Sequence, residues 1–248
     1  FVAIPHNSNL SNGLMFDMVD SEGRPISAEY ARTRMRWEPL VEVLQIKGTS
    51  ETHPFLSPED EFADFELGYQ LDGNIILTRG AIAVPDRADY VRTALLRGLR
   101  FEEEVGVNPY KLGIQGGTDT HTTLSDTDED LFAGWLARLT GPANGLATLP
   151  VFGASVGWDS AAQGITGAWS TANTREALTA AFKRKEVYAT SGPRMQLRMF
   201  GGFEFEAGDA DARDIAAVGY GGGVPMGGDL AQAPNGAPIS LLIHAVRT

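Results

Sequence analysis

The chain has 248 residues, and 43% of them are hydrophobic, which is enough apolar material to bury a sizeable core. Its 32 acidic and 20 basic residues give a formal net charge of -12, which repels nucleic acid phosphates and anionic membrane surfaces. We therefore expect a soluble, folded protein that has neither nucleic acid nor membrane as its partner.

Three predicted strands lie in the first half of the chain. Residues 1–4, 40–46 and 112–115 form short apolar runs, and the second run is rich in branched side chains. The first run begins at Phe1, and another strand-like run stops at Val246. Since chain termini are usually exposed and loosely held, we expect this chain to be a fragment of a longer protein.

Helices are predicted between these strands. Ser27 is a plausible helix N-cap, and Pro39 ends the helical pattern that follows it. Asp86 is predicted to cap a second helix that ends before Gly106. The apolar face of this second helix is predicted to consist of Val91, Ala94, Leu95 and Leu99. Strands that alternate with helices favour right-handed parallel crossovers, so the sequence predicts an α/β fold.

The pattern changes in the second half of the chain. Residues 129–139 are predicted to form a short helix, and Thr174 is predicted to cap another helix that ends near Arg184. Short strands amid Gly and Pro are then predicted at residues 195–200, 203–205 and 238–246. We therefore divide the chain into β/α units over residues 1–192 and a small antiparallel β region over residues 193–248.

Histidine and carboxylate side chains follow the three predicted strands of the first half. His6 follows the first strand, and Glu51 and His53 follow the second. Asp119 and His121 follow the third. Parallel strands deliver their carboxyl ends to one edge of a sheet or barrel, so we expect these side chains to converge. The sequence contains no cysteine, and nitrogen and oxygen ligands of this kind suit a divalent metal ion.

Four sequence strings resemble those of a known family, at residues 4–7, 45–54, 117–121 and 189–194. That family is called domain of unknown function 3604, and it is similar to the polymerase and histidinol phosphatase (PHP) superfamily of metal-dependent hydrolases. The resemblance covers nearly the whole chain. It implies a distorted, TIM-like β/α barrel, present here in part, that binds divalent ions such as zinc, manganese or iron.

The resemblance also implies roles for individual residues. Asp119 and His121 match the late Asp-x-His motif of the PHP superfamily, and His6 and His53 match its single middle histidines. The opening His-x-His pair of the superfamily is absent here, which agrees with a fragment. The implied reaction is the attack of a metal-bound water on a phosphoester or related bond of a small-molecule substrate, which would be anionic if it is a phosphoester.

Further residues are predicted to assist this chemistry. A metal ion lowers the pKa of bound water to about 7, and Asp119 is predicted to bridge to the ion or to accept a proton. Glu51 is predicted either to bind the ion or to orient an imidazole ligand through a hydrogen bond. Arg194 and Lys47 follow predicted strands or turns, and their charges are suited to neutralising an anionic substrate oxygen.

Two other functions are compatible with the sequence. Residues 153–157 have the Gly-x-Ser-x-Gly spacing of a serine hydrolase, with Ser155 as the nucleophile and His244 downstream, although the following residues do not favour the helix that such a site needs. Alternatively, the chain is a binding module in which the histidines only brace loops. His244 lies inside a predicted strand, so we otherwise expect it to be a packing residue.

Overall fold

A computed structural model of the chain describes residues 1–67, 86–119 and 164–247, and these form a mixed α/β structure. The predicted helix at residues 129–139 and the predicted nucleophile Ser155 lie outside these ranges. The helices are α1 (Ala28–Trp37), α2 (Val91–Val105), α3 (Arg175–Arg184) and α4 (Ile215–Gly222). The strands are β1 (Leu40–Gln45), β2 (Gly48–Thr49), β3 (Gly113–Gly116), β4 (Thr166–Ala168), β5 (Val187–Ala189), β6 (Gln196–Gly202), β7 (Gly223–Pro225) and β8 (Ser240–Val246).

The first sheet is built around β1, whose six residues are all buried. β1 pairs in antiparallel fashion with β2 and in parallel fashion with β3. In the parallel pair Glu42 lies opposite Gln115, and the register shifts before Leu44, which lies opposite Gly116. Because β1 and β3 run in the same direction, the segments that follow them emerge at the same edge of the sheet.

The first residues of the chain run beside β1 without forming a regular strand, so the predicted strand at residues 1–4 is wrong. The Ala3 N–H donates to Trp37 O at 2.7 Å, and the Glu42 N–H donates to Pro5 O at 3.1 Å. Proline has no N–H, so Pro5 interrupts the ladder that these two hydrogen bonds begin. The segment is therefore held in place beside β1 but remains irregular.

The predicted helix caps are largely confirmed. The Ser27 side chain accepts a hydrogen bond from the Tyr30 N–H at the start of α1, and the Thr174 side chain accepts one from the Ala177 N–H at the start of α3. The prediction for α2 is wrong in one respect, because Asp86 accepts from the Ala88 N–H and caps a 3-10 helix (Arg87–Asp89) that precedes α2.

The buried face of α2 differs from the predicted one. Leu95 and Leu99 are 39% and 62% exposed, so the prediction that they face the core is wrong. Val91 and Ala94 are buried as predicted, and together with Gly98 and Phe101 they form the buried face at helical spacing. They pack into a core with β1 and the segment before α1, and the other buried members of that core are Phe16, Ile26, Ala31, Val41, Val43 and Tyr110.

The other two sheets are antiparallel. β4 pairs with β5, and β6 pairs with both β7 and β8. Antiparallel strands were predicted near the C-terminus, but residues 203–205 are not a strand, and β7, which lies in a glycine-rich segment, was not predicted. β8 is an edge strand among the described residues, and its side chains at Leu241 and Ile243 are 58% and 55% exposed.

The predicted partial TIM-like barrel is wrong for the part of the chain that the structure describes. There the sheets have two or three strands, and β1 with β3 is the one parallel pair among them. A tight turn, rather than a helical crossover, joins β1 to β2, and β4 and β5 are antiparallel although α3 lies between them. A barrel needs successive parallel strands to close on each other.

A buried carboxylate ties the loop before α1 to the 3-10 helix that precedes α2. Asp89 Oδ1 accepts hydrogen bonds from the Ser11 hydroxyl at 2.7 Å and from the Gly13 N–H at 2.6 Å. Burial raises the pKa of Asp89, although these hydrogen bonds oppose the shift. The ionised carboxylate is therefore less favourable in the folded protein than in water.

We expect the Asp89→Asn variant to become more stable than the parent as the pH rises above about 4. Between the unfolded and the raised folded pKa, the unfolded chain loses the proton first, so the Asp89 contribution to stability falls with rising pH. Asparagine keeps an oxygen that can accept both hydrogen bonds and removes the charge. Urea unfolding at several pH values measures the difference; a variant less stable than the parent at pH 7 would contradict this reading.

Two glycines of α4 offer a matched test of packing. A Cβ at Gly219 would overlap the ring of Phe200, which is fully buried, whereas a Cβ at Gly221 would meet nothing within 4 Å. We expect Gly219→Ala to destabilise the fold by roughly 1 to 3 kcal/mol because the ring has no room to move. Gly221→Ala should be neutral or stabilise by up to about 1 kcal/mol through helix propensity. Denaturant unfolding of both variants measures this, and equal effects would contradict the packing described for Phe200.

Candidate functional site

A cluster of polar side chains lies where β1 and β3 end at the same sheet edge. Glu42 comes from β1, and Lys47 from the turn between β1 and β2. Asp119 follows β3, with a left-handed backbone (φ 48°) that aspartate tolerates better than most residues. His6 follows Pro5 on the segment beside β1. Four side chains from three separate parts of the chain therefore meet in one place, and we call them the His6 cluster.

His6 is held between the two carboxylates of the cluster. Its Nδ1 lies 2.7 Å from Glu42 Oε1, and its Nε2 lies 3.8 Å from Asp119 Oδ1. The Glu42 and Asp119 side chains are only 10% and 11% exposed, while that of His6 is 45% exposed. Because an ionised carboxylate can only accept, Nδ1 carries the proton that bonds to Glu42, and in the neutral imidazole the lone pair of Nε2 faces Asp119.

Lys47 supplies a buried positive charge to the cluster. Its ammonium group forms an ion pair with Asp119 Oδ2, and its side chain is 10% exposed. Burial lowers the pKa of Lys47 to about 8, although the charge of Glu42 opposes the shift. The backbone of Lys47 is fixed as well, since its N–H donates to Gln45 Oε1 at 2.7 Å and its carbonyl accepts from Asn9 at 3.2 Å.

A short polar chain holds Glu42 from the other side. The Gln115 side-chain amide lies 3.5 Å from Glu42 Oε2, and its own oxygen accepts a hydrogen bond from the Thr166 hydroxyl at 2.9 Å. Gly117 matters here because a Cβ at that position would lie 2.8 Å from Glu42 Oε2. The network therefore fixes Oε2 of Glu42 against β3 and β4 and orients Oε1 toward His6.

A family model of proteins of unknown function (DUF3604) matches residues 1–248, which is the whole chain. This chain belongs to the DUF3604 family. No curated protein and no solved structure is significantly similar to it. Within the described residues of this DUF3604 member, no helix has the length and apolar character that crossing a membrane would require.

Two predicted ligands lie outside the His6 cluster. The side chain of Glu51 binds Arg92, with Oε1 at 2.6 Å from Nη2. The backbone carbonyl of Glu51 also accepts a hydrogen bond from the Arg92 N–H at 3.1 Å. The ring of His53 stacks on that of Phe55 at 5.4 Å and lies 6.1 Å from that of Tyr90, and burial lowers the pKa of His53. These contacts do not test the metal-binding roles of Glu51 and His53, which stay predictions.

The remaining predicted residues are placed as follows. Arg194 donates to Thr190 Oγ1 at 3.3 Å and to Gly192 O at 3.1 Å, and Thr190 lies beside the end of β3. His121 and Ser155 lie outside the described residues, so their roles stay predictions. His244 is exposed on β8, so the expectation that it is a packing residue is wrong.

Glu42 is the residue that sequence reasoning missed. It lies within the predicted strand at residues 40–46 and is the one charged residue in that run. A charge in a fully buried strand needs a partner, so this position was the available signal. Within residues 1–67, 86–119 and 164–247, no group of three His, Cys, Asp or Glu side chains is arranged to hold a metal ion. The described part of the cluster therefore offers a pair of first ligands, His6 and Asp119, rather than a complete set.

We expect Glu42 to fix the tautomer of the neutral His6 imidazole in the unliganded protein, with the proton on Nδ1 and the lone pair on Nε2. In Glu42→Ala the imidazole should lose this preference. Long-range proton–nitrogen NMR spectra of the imidazole rings measure both states, with His6→Gln used for assignment. The exposed His244 is an internal control that Glu42→Ala should leave unchanged. Identical His6 spectra in parent and variant would show that the hydrogen bond does not form in solution.

Proposed function

We propose that this chain is part of a metal-dependent hydrolase whose active site is centred on the His6 cluster. His6 and Asp119 would hold a divalent ion, and His121, two residues after Asp119, is the predicted further ligand. The proposed substrate is a small molecule with a phosphoester or related bond. The resemblance to the PHP superfamily, noted from the sequence strings around these residues, is part of the same proposal.

One observation carries the proposal: two atoms that can both act as metal ligands face each other at close range. His6 Nε2 and Asp119 Oδ1 are 3.8 Å apart, and Nδ1 is already engaged by Glu42. Two such acceptors repel each other unless a proton or a cation lies between them. Nitrogen and oxygen ligands that each lie about 2.1 Å from one ion are typically roughly 3 to 4 Å apart, which suits this pair.

Glu42 fits the role of a supporting residue for a metal ligand. Histidines that bind metal ions usually donate their other ring N–H to a carboxylate, which fixes the ring and makes the ligand nitrogen more basic. Glu42 makes this contact with His6 and is itself held by Gln115. The carboxylate comes from a fully buried strand, so its position is set by the backbone of β1.

The charged residues around the pair have separate tasks in the proposed reaction. A bound divalent ion would act as a Lewis acid and lower the pKa of a water molecule, giving a nucleophile at neutral pH. Lys47 holds the Asp119 carboxylate in position through their ion pair. Its ammonium group can also neutralise negative charge on a substrate oxygen, as can Arg194, which is anchored to Thr190.

Metal binding by the purified chain tests the proposal. We expect zinc or manganese, added in calorimetric titrations, to bind the parent, and His6→Ala and Asp119→Asn to lose that binding. Glu42→Ala, which keeps both ligands, should weaken binding by about 10-fold to 100-fold. His244→Ala is the matched control, because it removes an exposed histidine on β8 and should leave binding unchanged. Circular dichroism checks that each variant is folded.

Catalysis is measured separately with p-nitrophenyl phosphate and manganese or zinc. We expect a chelator to abolish hydrolysis and added metal to restore it. If His6→Ala and Asp119→Asn take up as much metal as the parent, the assignment of this site is overturned. Hydrolysis that persists in chelator would overturn the metal-dependent reaction itself.

A further inference from the structure

A second site is a cavity of about 710 Å³ between the first sheet, the loop after β2 and the sheet formed by β6, β7 and β8. Its volume lies within the range typical of pockets for small organic molecules. None of the four residues of the His6 cluster lines this cavity. A ligand in this cavity would therefore bind at a site distinct from the His6 cluster.

The inner wall of the cavity is apolar and adaptable. Three methionines line it, namely Met195, Met199 and Met226, together with Leu197 from β6. Methionine side chains are flexible and polarizable, so such a wall can adjust to ligands of different shape. Met195 and Met199 are 47% and 36% exposed, so part of this apolar wall is open to solvent in the unliganded protein.

Two phenylalanines from the loop after β2 also line the cavity. Phe62 and Phe65 are 70% and 51% exposed, which is high for side chains of this size. The loop returns to the first sheet at Glu66, whose carbonyl accepts the Thr49 N–H at 2.9 Å. The two aromatic rings are thus attached to the sheet at the point where the cavity meets it.

Charged residues of the cavity wall are mainly acidic. Glu51, Asp60 and Glu66 contribute three carboxylates, and Arg92 contributes the one guanidinium among the described lining residues, which leaves a formal excess of two negative charges. Arg92 is already engaged, because it binds Glu51 at 2.6 Å and Asp60 at 2.6 Å. An anionic ligand would meet repulsion here, whereas a cation would be attracted.

We propose that this cavity binds a small organic cation with an apolar body, such as an aryl-alkyl amine. The body packs against the methionines, and the ammonium group lies at the acidic part of the wall. Phe62 and Phe65, which are exposed and line the same cavity, would add cation–π attraction to this group. This ligand class follows from the combination of apolar wall, exposed aromatic rings and acidic charge.

A matched set of three probes tests the ligand class: 4-phenylbutylamine, 4-phenylbutan-1-ol and 4-phenylbutyrate. They share the apolar body and differ in the charge of the head group. In calorimetric titrations with the full chain, we expect the amine to bind at least about tenfold more tightly than the carboxylate, with the alcohol between them. Absence of measurable amine binding, or carboxylate binding as tight as that of the amine, would overturn the proposal.

Two cavity variants and one control variant locate the binding. Met199→Lys places a positive charge in the cavity wall and should abolish amine binding, whereas Leu96→Lys adds the same charge at a 69% exposed position of α2 outside the cavity and should leave it unchanged. Glu66→Gln removes one negative charge without touching Arg92 and should reduce the preference for the amine several-fold. If Met199→Lys and Glu66→Gln both bind the amine as the parent does, the amine binds at another surface and the proposal is overturned. Metal binding at the His6 cluster should be the same in all three variants, so the two proposals fail independently.

Discussion

The described structure depends on the hydrogen bonds and the positive charge that stabilise one buried carboxylate, that of Glu42. A charged side chain in a strand with no exposed residue is costly unless hydrogen bonds and opposite charges surround it. His6 and Gln115 make direct contacts with Glu42, and the nearby ammonium of Lys47 adds positive charge. These partners come from the start of the chain, from β3 and from the turn after β1, so satisfying one carboxylate also brings distant segments together.

Most local features of the fold were predictable from the sequence, whereas long-range packing was predictable only in part. Ser27 and Thr174 cap helices as predicted, because a cap is a contact between neighbours in sequence. The strand at residues 40–46 is observed as β1 with nearly the same bounds. The buried face of α2 was misjudged because several leucines lie near one another on the helix, and the choice between faces is made by packing against β1.

The candidate site was predictable to a similar degree. His6 and Asp119 were expected to converge because each follows an apolar run, and they do lie together. Glu51 and His53 do not join them, since the chain reverses at β2 and the Ser50 N–H bonds back to Val43 O at 2.6 Å. That reversal carries the next residues back along β1, away from its carboxyl end. A tight turn of two residues is enough to separate ligands that sequence order places together.

The N-terminal segment beside β1 and the edge strand β8 differ in how readily a further strand could pair with them. Pro5 lacks the N–H that an incoming strand would need, so the N-terminal segment beside β1 is blunted against edge-to-edge pairing at that position. β8 has no such protection: within residues 240–246 there is neither proline nor a lysine or carboxylate, and Leu241 and Ile243 face solvent. If concentrated solutions of this protein self-associate, strand addition at β8 is the expected starting point.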